Sequence, residues 1–331
     1  MQKIISWLLK ALAAGLVAFT SLTVFCFLYY NVPVHQETID GATDYAWEYS
    51  KFYSKATEGF AYGKTNNEGY LNTFDYTEEQ EIAILVMGSS HMEAYQVSLQ
   101  ESTAALLNQL FPGDTVYNIG VSGHDFLVCA DNLSAAVSKY KPTKYVLLET
   151  STLSFSDEQL ASAINETVAD IPSHSGGIIG MLQKNPFLRL CYSQLQSFAK
   201  NTKVQGTTES NTTTAPVKNL ALYDELLMRL VNTVSKTGAQ LIIVYHSNLK
   251  LNEDGGVICT GDPELTSAFS GLCEKNGILF LDMSNHFVRH YEETHILPHG
   301  FSNSSVGSGH LNKHGHKVIA YAIYNLIKEN M

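Results

Sequence analysis

Hydrophobic positions fall into three patterns along the chain. From Ala11 to Tyr30 the run ALAAGLVAFTSLTVFCFLYY carries no charge over twenty residues, enough as a helix to cross the roughly 30 Å of a bilayer's hydrocarbon core. Further on, five short apolar runs bounded by polar or turn residues read as strands buried on both faces: Ile82 to Met87, Val116 to Ile119, Tyr145 to Leu148, Leu241 to Tyr245 and Ile278 to Asp282. Between them Glu101 to Leu110, Phe126 to Tyr140, Leu220 to Lys236 and Pro263 to Lys275 have helical periodicity, and a last helix is expected over His316 to Lys328. Strands that alternate with helices predict an α/β fold, a doubly wound parallel sheet of five strands with helices on both faces.

Two stretches stand outside this repeat. Residues 31–80 form an arm with Tyr45, Trp47, Tyr49, Phe52, Tyr53, Phe60 and Tyr62, too aromatic for a flexible stalk and expected to pack on the domain. Residues 155–217 read as an insertion ending in the Thr-rich stretch NTKVQGTTESNTTTAPVKN, a surface loop by composition. The expected organisation is therefore an anchor over 1–30, the arm over 31–80 and one α/β domain over 81–331.

Composition adds a compartment. The 331 residues are 45% hydrophobic and 16% charged, with a net charge of -11; a large core is implied, and nucleic acid is excluded as a partner on electrostatic grounds. Lys3 and Lys10 precede the apolar run and Glu37, Asp40, Asp44 and Glu48 follow it. The positive-inside rule then puts the N-terminus in the cytoplasm and the rest outside a cell membrane crossed once. The competing reading, a cleaved signal peptide, asks for a shorter apolar stretch and a small-residue cleavage site after Tyr30, and neither is present. An oxidising compartment would permit a disulfide, and Cys259 and Cys273 are the pair close in sequence. Cys129, within an apolar helical stretch, reads as a small buried thiol.

Candidate chemistry sits where strands end. The first strand runs into Gly88-Ser89-Ser90-His91, and a serine at such a strand-to-helix turn is in a nucleophile's position, with helix N–H groups available to an oxyanion; the plainer reading is a Ser-rich helix cap. It is not GxSxG. The second strand ends in Asn118-Ile119-Gly120-Val121-Ser122-Gly123, whose glycines admit a close backbone approach. Gly307-Ser308-Gly309-His310 precedes the last helix, and His310 on that loop could serve as general base to Ser90. His314 and His316 are expected at the helix start, facing solvent. Glu149 and Asp282, at strand ends, could each orient His310 or act as ordinary caps. His91, His124 and His246 match no metal-ligand spacing, and the chemistry calls for no metal or cofactor.

GSSH at 88–91, YNIGVSG at 117–123 and HLNKHGH at 310–316 together resemble the SGNH (GDSL-like) hydrolase family in order and spacing. The resemblance covers residues 81–330 and is nearest to the membrane-anchored branch that works on cell-surface polymers, including proteins that move acyl groups onto bacterial polysaccharides or teichoic acids. It implies Ser90 as nucleophile, His310 as base, and the N–H groups of Ser90 and Gly123, or less readily Gly120, as the oxyanion hole. Two positions depart from the family. The third block, usually an Asn donor, reads Glu149-Thr150-Ser151-Thr152, which leaves Ser151 as an auxiliary hydroxyl. The acid three residues before the histidine is replaced by Gly307. The expected function is a serine O-acyltransferase or esterase on a cell-envelope glycan or polymer, with room for a membrane acyl-transfer partner. The alternative is a catalytically weak binding or assembly protein for polymer modification.

Overall fold

Helix α1 (Gln2–Tyr29) takes up the apolar run and leaves its hydrophobic side chains exposed, apart from Cys26, in the computed structural model, which describes residues 2–32, 49–165, 185–192, 194–195 and 219–331. It is long and apolar enough to cross a membrane, a property that signal sequences share. Its C-terminal end is fastened to the arm. Tyr30–Asn31 (β1) pairs antiparallel with Phe52–Lys55 (β2), which pairs in turn with Ala61–Lys64 (β3). Ser54 Oγ donates to the Phe27 carbonyl at 2.8 Å, the Ala56 N–H donates to the Tyr29 carbonyl at 3.0 Å, and the Phe27 and Phe52 rings stack. The arm thus packs through a small sheet with its own core of Tyr53, Ala61, Leu71 and Tyr95. Tyr45, Trp47 and the Thr-rich stretch up to residue 218 lie outside the described residues.

The apolar runs form one parallel sheet. Strands β4 (Ile84–Met87), β5 (Val116–Asn118), β6 (Tyr145–Thr150) and β7 (Gln240–Tyr245) are joined, after a hairpin of β8 (Leu249–Leu251) and β9 (Val257–Cys259), by β10 (Leu279–Asp282), in the order β10-β7-β6-β4-β5. The two-residue period of a strand sends Leu85 and Met87 to one face and Ile84 and Val86 to the other, so both faces are apolar and both are covered. One layer holds α4 (Phe126–Tyr140), α5 (Asp157–Ile164), α6 (Leu220–Val234) and α7 (Pro263–Lys275). The other holds α3 (Thr103–Leu110), α8 (Ser284–Thr294) and α9 (Lys313–Glu329). Strand order reverses at β4, so the crevice beyond the C-terminal ends of β4 and β6 is where such sheets place ligands.

One expectation is corrected, and two features are added to it. Helix α9 starts at Lys313, capped by the Asn312 side chain, so His316 falls on the stripe of Ile319, Ala320, Ile323 and Ile327; it is 1% exposed rather than at the surface. Cys259 and Cys273 are free thiols: Cys273 is buried, while Cys259 Sγ points to the Ser284 carbonyl. Helix α8 was not anticipated: SNHFVRHYEET carries only the short apolar stripe Phe287, Val288 and Tyr291, of which Phe287 alone is buried.

The arm is joined to the domain by polar contacts as well. Asn72 accepts from the Asn118 N–H and donates to the Asn118 carbonyl, both at 2.8 Å, so a side chain completes the edge of β5. Tyr117 and Tyr140 both donate to Glu68. Asn72→Ala strands two buried backbone groups, and each costs about 1–3 kcal/mol. Urea unfolding of this variant should show a lower midpoint, with arm and domain still unfolding in one transition.

Candidate active site

Three segments distant in sequence meet above β4. Ser90 is the first residue of α2 (Ser90–Glu93), a single turn whose N-cap is Ser89 and which ends at Ala94 in the left-handed region. This turn is held from below. Glu149, at the end of β6, accepts from both the backbone N–H and the hydroxyl of Ser89, at 2.8 and 2.9 Å, and its other oxygen bonds His246 Nε2 at 2.8 Å. Gly88 makes room for it, since a Cβ there would stand 2.6 Å from the Glu149 carboxylate. Burial would raise the pKa of Glu149; the bonds from His246 and Ser89 outweigh it and hold the group at about 2, so it is ionised.

His310 Nε2 lies 2.9 Å from Ser90 Oγ. On its other side the ring meets Glu58, from the loop between β2 and β3. His310 Nδ1 is 2.6 Å from Glu58 Oε2, and the His310 backbone N–H donates to Oε1 at 3.0 Å. A carboxylate only accepts, so Nδ1 carries the proton and the Nε2 lone pair faces the serine hydroxyl. Desolvation would raise the Glu58 pKa, but the two bonds from His310, with the nearby charge of Lys55, bring it to about 2. Glu58 is therefore an anion throughout the range in which the histidine could work as a base.

The glycines of the His310 loop explain how an acid arrives from so far away. A Cβ on Gly309, at φ +91°, would lie 2.6 Å from Glu58 Oε1. Gly307 stands at the position where an acid three residues before the histidine would be expected. Its φ is +83° and a Cβ there would meet Leu297 at 2.9 Å, so that backbone does not suit a side chain. Asn303 then ties this loop to the arm, accepting from the Gly59 N–H and donating to the carbonyls of Ala56 and Gly59.

A cleft of about 220 Å³ opens beside Ser90 and is lined by Gly123, His124, Thr150, Ser151 and Thr152, among others. The N–H groups of Ser90 and Gly123 have no acceptor among the described residues, whereas the Gly120 N–H donates to Asn118 Oδ1 at 3.0 Å and is buried against Met92 and Glu93. Gly120 therefore has no free donor to offer. Ser151 lines the cleft without a bond to His310. Glu149 serves Ser89 and His246 instead of His310. Asp282 caps the turn into α8 through the Ser284 N–H and lines a separate cavity of about 740 Å³ beside α7, so it does not orient His310 either. The carboxylate missing from the sequence-based reading is Glu58, and the only local sign of it was a Gly-Ser-Gly loop, which implies a close neighbour without naming it.

Behind the site is a packed group of imidazoles. His246 Nδ1 lies 3.3 Å from His299 Nε2, the His91 ring touches those of His246, His299 and His310, and His316 Nδ1 accepts from the Thr103 N–H at 3.3 Å. Among the described residues no three His, Cys, Asp or Glu side chains are arranged to hold a metal ion. Burial pushes the pKa values of His91 and His316 down to about 3 and that of His299 to about 2, with the neighbouring imidazoles adding to the effect.

No protein-family model and no curated protein matches the chain. Among solved structures it is similar to an alpha/beta hydrolase enzyme from the metagenome of Lake Arreo, Spain, at 17% identity and TM-score 0.41, over 73% of this chain and 93% of that one. It is also similar to the psychrotrophic esterase EstA from Pseudoalteromonas sp., at 15% identity and TM-score 0.40, over 76% and 98% of the two chains. A third is a member of the lipolytic protein G-D-S-L family from Veillonella parvula, at 12% identity and TM-score 0.40, over 74% and 97%. At such TM-scores these likenesses decide neither fold nor chemistry, which rest on the strand order and hydrogen bonds above.

Two outcomes follow from the site. Glu58→Gln keeps the shape but no longer fixes the Nδ1–H tautomer, so the reactivity of Ser90 towards a soluble fluorophosphonate should fall by roughly 1000-fold or more; stopped-time labelling with mass spectrometry reads it. The three buried histidines stay neutral when folded but protonate near their ordinary value of 6.5 when unfolded. The unfolded state thus binds more protons below that value, and stability is full above pH 6.5 and falls as pH drops, by roughly 1 kcal/mol per pH unit for each. Urea midpoints between pH 7.5 and 5 should show this decline, and His316→Gln should make it shallower.

Proposed function

We propose that this chain is an SGNH-like serine esterase or O-acyltransferase, held at a membrane by α1, that works on acyl esters of a cell-envelope glycan or polymer. The observation that carries the reading is the unbroken line Glu58–His310–Ser90, with distances of 2.6 and 2.9 Å. Ser90 Oγ attacks the acyl carbonyl carbon and its proton passes to His310 Nε2. The carbonyl electrons move to the oxygen, which the N–H groups of Ser90 and Gly123 hold, with the Ser151 hydroxyl alongside. Collapse expels the alcohol, protonated by His310, and leaves an acyl-serine. Water or an acceptor hydroxyl then gives its proton to His310 and takes the acyl group, which restores Ser90.

Glu58 changes the balance between enzyme and catalytically weak binding protein. The departure at Gly307 would have left the base unoriented, and Glu58 makes good that lack; the departure from an Asn donor at Glu149-Thr150-Ser151-Thr152 remains. Orientation of the base serves water and acceptor hydroxyl alike, so the triad itself does not choose between hydrolysis and transfer.

The test uses the full chain in lipid nanodiscs. A fluorophosphonate should add one adduct to the wild type, mapped to Ser90, and none to Ser90→Ala. A labelled wild type with the adduct elsewhere, or no labelling at all, refutes the nucleophile and leaves the binding-protein reading. With an activated acyl ester, acylated glycan separates transfer from the free acid of hydrolysis.

A further inference from the structure

The hairpin that supplies Glu58 hangs from the end of α1. Tyr30 of β1, Lys55 of β2 and Ala61 of β3 stand in one register line, and Asn31, Ser54 and Tyr62 form the next. Neighbouring strands lie about 4.8 Å apart, so Ala61 is within about 10 Å of the residue at which the apolar run ends. Strand β2 runs back towards α1, and the Ala56 N–H closes on the Tyr29 carbonyl. Residues 56–60, Glu58 included, therefore turn at the level where the helix would leave a bilayer.

The two faces of the hairpin differ. Tyr53 and Ala61 face inward and are buried, whereas Phe60 is 71% exposed and Tyr62 66%, with their rings 6.4 Å apart. Val306, on the loop that Asn303 fastens to this hairpin, is 70% exposed. Tyr62 shares its face of the sheet with Phe52, whose ring stacks on Phe27 of α1, so the exposed rings adjoin the uncovered apolar surface of that helix. Aromatic rings beside a helix end are the residue types that settle at the boundary of headgroups and acyl chains.

We propose that Phe60 and Tyr62 seat the β2–β3 hairpin in the interfacial layer of a lipid bilayer, so that the Glu58–His310–Ser90 site works at the membrane surface and not at the end of a stalk. The proposal rests on α1 being a retained anchor. Lipid is the occupant because the exposed rings are continuous with that helix and two hydrogen bonds, from Ser54 and Ala56, fix the hairpin to its last turn.

The experiment measures depth in the full chain, reconstituted in nanodiscs with lipids brominated near the headgroup end of the acyl chain. The chain has two tryptophans, Trp7 and Trp47. In a Trp7→Phe, Trp47→Phe background, Phe60→Trp should lose about half or more of its emission to the bromines, as expected for an interfacial ring. Tyr321→Trp, on the exposed side of α9, should lose little. A urea unfolding midpoint equal to that of the wild type shows that each variant is folded, whether or not Ser90 is a nucleophile. If Phe60→Trp is quenched no more than Tyr321→Trp, the hairpin is not in the interface and the proposal fails. Trp7 alone, in Trp47→Phe, separates the two ideas: a quenched Trp7 with an unquenched Phe60→Trp defeats the hairpin proposal alone, and an unquenched Trp7 defeats it together with the anchor.

Discussion

The double hydrogen bond between Glu58 and His310 is the constraint on which the site depends. One carboxylate holds both the ring and the backbone of the histidine, so it sets where the loop lies as well as which ring nitrogen is bare. Everything around it serves that closure. Gly309 gives way to the carboxylate, Asn303 fastens the loop to the hairpin, and the hairpin is fastened to the end of α1. A short loop on a small sheet would be a poor support for a charged partner in water. Here three sides of it are tied to larger elements.

Two buried or half-buried carboxylates divide the work. Glu58 holds His310, while Glu149, fully enclosed, holds the turn that presents Ser90. Each sits where a glycine leaves space, Gly309 for one and Gly88 for the other, and each is kept ionised by hydrogen bonds that outweigh burial. Both oxygens of Glu149 are engaged by Ser89 and His246, and Asp282 Oδ1 accepts from the Ser284 N–H at the start of α8.

Much of the fold could be read from the sequence because it follows local periodicity. The five apolar runs became the five strands of the sheet, and the helices over 126–140 and 263–275 begin at their own caps, Asp125 and Asp262. Ser90 and His310 stood out because they lie at a strand end and on a Gly-rich loop. Glu58 did not. It is one glutamate among several in an arm recognised for its aromatics, 252 positions from its partner, and nothing local marks a contact made by the closing of a chain. His316 was misread for a related reason: the one-turn difference in where α9 starts decides which way an imidazole points.

The triad proposed above also has an order in time. Glu58 lies close behind the apolar helix α1, Ser90 follows soon after, and His310 lies just ahead of α9. Synthesis from the N-terminus therefore delivers the carboxylate and the hydroxyl well before the imidazole, which follows Ser90 by 220 positions. On the reading proposed above, a nascent chain that holds Ser90 but not yet His310 has no group to take the hydroxyl proton. On the proposed reading, the reactive state arises only once the His310 loop has been made and has closed on the hairpin that carries Glu58.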